Sequence, residues 1–154
     1  LTSYLKVQQV YGMYSQQAPY HLTKIVIQVT PLFHQEIDIS TWIVQMKTNT
    51  NLLPYTFDNT ISSLNSTGVF SHIQWNNLTT NKFGVLVVQD KDDSLLEYQS
   101  FSEPNDVAFL TLNIENLSIS KGDYVTISLS PGTGIVKTIS FNAPLPTKQV
   151  VTLW

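Results

Sequence analysis

The chain has no cysteine and no arginine, and only six of its 154 residues are glycine. Without cysteine there is no disulfide, no thiol nucleophile and no cysteine-ligated zinc. Without arginine the planar fork that grips phosphate is missing, and eight lysines face eleven carboxylates for a net charge of −3. Nucleic acids and anionic membrane surfaces, which are recognised through clustered cations, are excluded as partners on that balance. So few glycines leave little material for phosphate-cradling loops, and no GxSxG or HExxH pattern occurs. No window reaches the roughly 18 consecutive apolar residues that a spanning helix needs.

Charge of either sign is scarce. Charged residues make up 12% of the chain, against about 25% in an ordinary soluble domain. Serine, threonine, asparagine and glutamine take their place, with 54 of the 154 residues. Hydrophobic residues at 42%, including seven Tyr, seven Phe and three Trp, argue against disorder. A surface wetted by hydroxyls and amides depends little on salt or pH, which suits an extracellular setting. Scaling laws give roughly 25,000 Å² of surface unfolded and roughly 8,000 Å² folded, enough burial for one self-sufficient core. Residues 1–154 therefore read as one domain. The chain opens at Leu1 rather than at a methionine, which reads as a fragment or processed form, with room for an anchoring segment before it.

Hydrophobic periodicity is two nearly everywhere. Ile25, Ile27 and Val29 alternate with Lys24 and Gln28. Trp42, Val44 and Met46 stand against Gln45 and Lys47, and Val125, Ile127 and Leu129 against Tyr124, Thr126 and Ser128. Each pattern predicts a strand with one buried face. Residues 83–88 are apolar on both faces and predict a central strand covered on both sides. Further strands are predicted over 4–11, 52–57, 69–75, 107–114, 135–141 and 149–153. Turn chemistry separates them, and no window carries helical spacing. Nine or ten short strands with regular turns mean an all-β, antiparallel β-sandwich, with a closed barrel as the structural alternative.

The densest carboxylate cluster is Asp90, Asp92 and Asp93. Alternate acidic oxygens in a turn suit Ca²⁺, a hard cation that takes six to eight oxygen ligands, although a polar turn uses the same residues as backbone caps. His21, His34 and His72 show neither metal-like nor triad-like spacing, so no catalytic residue is assigned. Asn65, Asn77 and Asn116 each open an Asn-x-Ser/Thr sequon in an expected turn or strand end, where a glycan would project into solvent. Trp42, Trp75 and Trp154 are candidates for a carbohydrate platform, with core roles as the plainer expectation for the first two.

Several stretches resemble the globular domain of archaeal flagellins (archaellins). The opening LKVQQVYGMYS, with its Tyr-Gly step, runs into LTKIVIQVTP and then EIDISTWIVQM, whose Ile37, Asp38, Ile39 and Ser40 match the family's Ile-Asp-Leu-Ser-like link. FGVLVVQDKDDSLLE resembles its strand and acidic turn, and ISKGDYVTISLSPG and VVTLW follow in the same order. The resemblance implies an immunoglobulin-like sandwich on the outside of a helical motility filament, with no enzyme activity and no required cofactor. It implies other copies of the chain as partners, and surface-layer or accessory archaellum proteins besides. Membrane contact would come only through the family's hydrophobic N-terminal helix, which this chain lacks. It also implies N-glycans at Asn65, Asn77 and Asn116 and, more distantly, a metal ion at Asp90, Asp92 and Asp93. An accessory stator protein that grips the surface layer is the alternative reading, and an adhesion or carbohydrate-binding module a third.

Overall fold

The computed structural model describes residues 5–34, 36–64, 68–131 and 136–154. Eleven strands follow in chain order: β1 (Leu5–Tyr14), β2 (Leu22–Pro31), β3 (Ile37–Asp38), β4 (Ile43–Lys47), β5 (Leu52–Ser63), β6 (Lys82–Gln89), β7 (Ser100–Phe101), β8 (Val107–Asn113), β9 (Tyr124–Ser130), β10 (Lys137–Asn142) and β11 (Val150–Thr152). Between β6 and β7 lies one short helix, α1 (Ser94–Tyr98). Nine strands form one sheet in the order β10-β9-β4-β5-β6-β8-β2-β1-β11, and β3 pairs with β7. No described helix is long and apolar enough to cross a membrane.

The sheet folds over at β5. Residues 52–56 of this strand ladder antiparallel with β4, while 56–63 pair with β6. Between them the register shifts from Phe57 to Ile61 around Asn59, whose φ is 59°. One strand thereby serves both layers of a sandwich, a corner made by a bulge. The folding-over brings Val125 and Ile139 from one end of the sheet into the same buried cluster as Val7, Ile27 and Val151 from the other. Among the described residues β10 pairs only with β9 and β11 only with β1, so the sheet stays open and no barrel closes there.

Alternation places the core as the sequence predicts. Ile25, Ile27, Val29, Trp42, Val44, Met46, Val125, Ile127 and Leu129 all enter the main cluster. One pair departs from the antiparallel expectation: β5 and β6 run parallel. A parallel pair needs a crossover of about a dozen residues or more, and residues 64–81 supply it. For that reason 69–75 is not a strand. The segment passes over the outer face of β2, β6 and β8 and makes a 3₁₀ turn over Ile73–Asn77. There Trp75 and Leu78 bury against Val26, with Phe70 stacked on Trp75 at 6.2 Å.

This lid is pinned by Gln74, which is buried. Its Nε2 donates to the Val85 carbonyl at 2.7 Å and its Oε1 accepts from the Thr111 hydroxyl at 3.0 Å. Gly84 lies beneath, where a Cβ would stand 2.9 Å from both the Gln74 and Thr111 oxygens. Lys24 completes the cover, its Nζ 4.9 Å from the centre of the Trp75 ring and donating to the Phe70 carbonyl. β6 is thus buried on both faces from Phe83 to Val87, as its doubly apolar sequence predicts, while Val88, predicted to be covered too, is exposed beyond the reach of the lid.

Two sequence motifs acquire physical meaning. Asp38 accepts from the Ser40 amide at 2.9 Å and from its hydroxyl at 2.6 Å, capping a 3₁₀ turn at Ile39–Thr41 while Ile37 and Ile39 go inward. Gly12 in the Tyr-Gly step leaves room for Leu153, whose Cδ1 would meet a Cβ at 2.8 Å.

Candidate metal centre

The connection from β6 to β8 gathers three carboxylates, though not the expected three. Asp90, Asp92 and Asp106 each offer an oxygen, and these oxygens lie within 4.8 Å of one another. That is about twice a Ca²⁺–oxygen bond of roughly 2.4 Å, the span of ligands on opposite sides of one ion. Asp93 is not in the group. It adopts the left-handed conformation, φ 59°, ahead of α1 and makes no side-chain cap.

The first turn of α1 and Ser102 hold the three acids between them. Asp90, just past β6, accepts from the amides of Leu95 at 3.0 Å and Leu96 at 3.3 Å in the first turn of α1. Asp92 accepts from the Ser94 amide at 3.2 Å and the Ser102 hydroxyl at 2.7 Å. Asp106, directly before β8, is fully buried, and its Oδ2 accepts from the Ser102 amide at 2.8 Å. From behind, the Thr30 hydroxyl at the end of β2 lies 2.7 Å from the Asp106 carbonyl and 2.8 Å from the Pro104 carbonyl, clamping the loop to the sheet.

Electrostatics separate the two acids of the turn. Burial pushes the Asp90 carboxyl above its ordinary value, against the pull of the Leu96 amide, and the neighbouring Asp92 and Asp106 push the same way. Asp92, in water, is held down to about 2, chiefly by the Ser102 hydroxyl and then by Ser94. Opposite shifts on neighbouring carboxyls are what a close pair of acids shows without a cation.

One atom stays unsatisfied. Asp106 Oδ1 is buried with no hydrogen-bond partner. An orphaned carboxylate oxygen costs on the order of 1–3 kcal/mol or more. With Ser94 Oγ 3.2 Å from Ser102 Oγ at the same place, the donors are oxygens throughout. Such a set fits Ca²⁺ or Mg²⁺ rather than a metal that favours nitrogen or sulfur.

The remaining expected sites lie elsewhere. Asn77 ends the 3₁₀ turn Ile73–Asn77 and is exposed, and the Thr79 hydroxyl of its sequon lies 3.4 Å from Asp58 Oδ1. Asn116 is exposed in the 3₁₀ turn Glu115–Leu117. Asn65 lies outside the described residues. His21 sits against the Pro19 carbonyl and His34 is exposed. His72 bridges the Gln74 amide and the Ser63 carbonyl, and no histidine joins the carboxylate group among the described residues. The three tryptophans form no platform: Trp42 is in the main core, Trp75 belongs to the crossover and is buried against Val26, and Trp154 is 42% exposed.

A folded-over sheet of nine strands, with β3 and β7 paired beside it and an all-oxygen acidic cluster in the β6–β8 connection, makes this a β-sandwich domain. The chain is similar to Flagellin B3 of Methanocaldococcus jannaschii, at 29% identity over 143 residues, covering 86% of this chain and 65% of that protein. It therefore spans 65% of the length of that curated relative. The crystal structure of archaeal flagellin FlaB1 from the same organism superposes with a TM-score of 0.87 at 23% identity, covering 99% of this chain and 97% of that one. The archaeal flagellum of Methanospirillum hungatei has a TM-score of 0.57 at 12% identity, over 93% of this chain and 66% of that one. The archaellum periplasmic stator complex FlaF and FlaG of Sulfolobus acidocaldarius reaches 0.52 at 12% identity, over 92% and 90%. No protein-family model matches the chain.

Proposed function

We propose that this chain is the outer, non-enzymatic domain of a structural subunit of an archaeal motility filament, packed against other copies of itself and exposed outside the cell. The observation that carries this reading is the combination of near-complete superposition on an archaeal flagellin with sequence identity to another. The looser fit to the stator complex supports an accessory role less well. Gold-labelled antibody to this chain, applied to cells of its source organism, separates the two. Labelling along the filament is expected, whereas labelling confined to the cell envelope would transfer the assignment to an accessory protein.

The carboxylate cluster is proposed as a Ca²⁺ site formed by Asp90, Asp92 and Asp106, supported by the orphaned Asp106 oxygen. Asp93 is left out, since its side chain is not among the grouped oxygens. The ion would cross-link the start of α1 to the start of β8. At one hundred times the dissociation constant it would add about 2.7 kcal/mol, which raises the melting temperature by roughly 5–10 °C at this size. A melting curve that does not move in millimolar Ca²⁺ would remove the site.

Asn65, Asn77 and Asn116 are proposed as glycan acceptors, supported for the latter two by their exposure. Mass spectrometry of the chain purified from its source reads occupancy at each.

A further inference from the structure

We propose that the cleft between the 15–21 loop and the 146–149 segment binds a saccharide ring bearing a carboxylate. Tyr14, Gln16, Tyr20, Pro146, Lys148 and Gln149 line a space of about 350 Å³. That is the small end of the about 300–1,000 Å³ typical of ligand pockets, room for a single ring.

The walls are preformed. The loop closes on itself through the Ser15 amide to the His21 carbonyl at 2.9 Å and the His21 amide to Ser15 Oγ at 3.2 Å. The opposite wall hangs from Tyr14, whose amide donates to the Gln149 carbonyl at 2.8 Å and whose hydroxyl donates to the Pro144 carbonyl. The backbone of both walls is set before a ligand arrives, which leaves the exposed Gln16, Lys148 and Gln149 side chains for it to order.

The lining fixes the ligand class. Tyr20 is 45% exposed and Pro146 half-buried, so a ring face and a proline offer apolar surface to the C–H face of a sugar. Gln16 and Gln149 offer amides that both donate and accept, as hydroxyls require. Lys148 is the only charged residue of the lining, and it selects an anionic ring over a neutral one. None of these residues belongs to the carboxylate cluster, so the cleft stands or falls apart from the calcium site.

Amide spectra of the isotope-labelled chain, titrated with glucuronate and with glucose, test this. Saturable shifts at Tyr20, Lys148 and Gln149 are expected, about threefold tighter for glucuronate, the size of an exposed ion pair. Lys148→Gln would bring glucuronate down to the glucose level, and Tyr20→Ala would weaken both while leaving the remaining spectrum in place. Three results would overturn the proposal: no saturable shift with either sugar, glucose binding as tightly as glucuronate, or both sugars failing where a proline-rich peptide moves the same residues.

Discussion

Asp106 governs the character of the acidic cluster more than the two acids in the exposed turn, because it alone is fully buried and keeps an unpartnered oxygen. Asp106→Asn removes the buried charge while keeping an acceptor for Ser102. It should raise metal-free stability by on the order of 1 kcal/mol and abolish the calcium-induced rise in melting temperature, an inversion that a scan with and without the ion reads directly. Asp90 and Asp92 push pH dependence in opposite directions. Asp90 holds its proton better folded than unfolded, so its contribution to metal-free stability is present at acid pH and lost as pH rises through its raised value. Asp92, held at about 2, contributes above the ordinary aspartate range and loses that contribution as pH falls toward 2. Calcium competes with a proton on Asp90, so affinity should rise with pH through the Asp90 titration and level off above it, which calorimetry across a pH series reads. Tyr55, buried with its hydroxyl 3.3 Å from the Asn113 carbonyl, is pushed up to about 12 by burial. Its contribution is intact below the ordinary tyrosine value near 10 and lost as pH rises to about 12. Alkaline unfolding followed by far-ultraviolet circular dichroism should fall in that window.

Among the elements, the crossover over residues 64–81 is the piece that sequence periodicity misses. Val69, Phe70 and Trp75 are apolar enough to predict a strand. Yet β5 and β6 pair with each other and with β4 and β8 on their other flanks, so neither offers this segment an edge to join. Its apolar residues go instead to the outer face of the sheet, a destination that no local pattern encodes. The doubly apolar run of β6 does announce a cover on its outer face, without saying which segment provides it. Strands such as β2 and β9 are legible because one face meets water and the other a core, which imposes period two. The acidic site is half legible for a related reason. Asp90 and Asp92 sit in one turn and read as a cluster, whereas Asp106 is brought in by β8 from beyond α1 and β7. Its one local signal is an acid set directly against the apolar run that follows. Gln74 gives the crossover its test. Gln74→Leu leaves the Val85 carbonyl and the Thr111 hydroxyl without their partner and should cost about 1–3 kcal/mol. Gly84→Ala should cost a similar amount through the clash beneath Gln74. In both, chemical denaturation is the measurement, with Trp75 emission reporting the loosened lid.

At the scale of the whole molecule, neutral polarity sets the response to solution conditions. With 12% charged residues and a net charge of −3, little of the stability rests on ion pairs or is lost to self-repulsion. In the absence of calcium, the melting temperature should change by no more than about 2 °C between 0.05 and 1 M sodium chloride, because screening has little to act on. A larger shift would mean that unseen charge networks matter. The sheet at β1, one strand in from its edge, has a mechanical side as well. β1 is paired from Leu5 to Tyr14 with β2 on one flank, and on the other it holds β11 from Met13 to Tyr11, with Val10 and Trp154 joined beyond it. Tension applied at Leu5 along the strand axis therefore loads the whole β1–β2 ladder in shear, many hydrogen bonds at once, instead of peeling them one by one. Force entering the domain at that end of β1 would meet the sheet in its stiffest orientation.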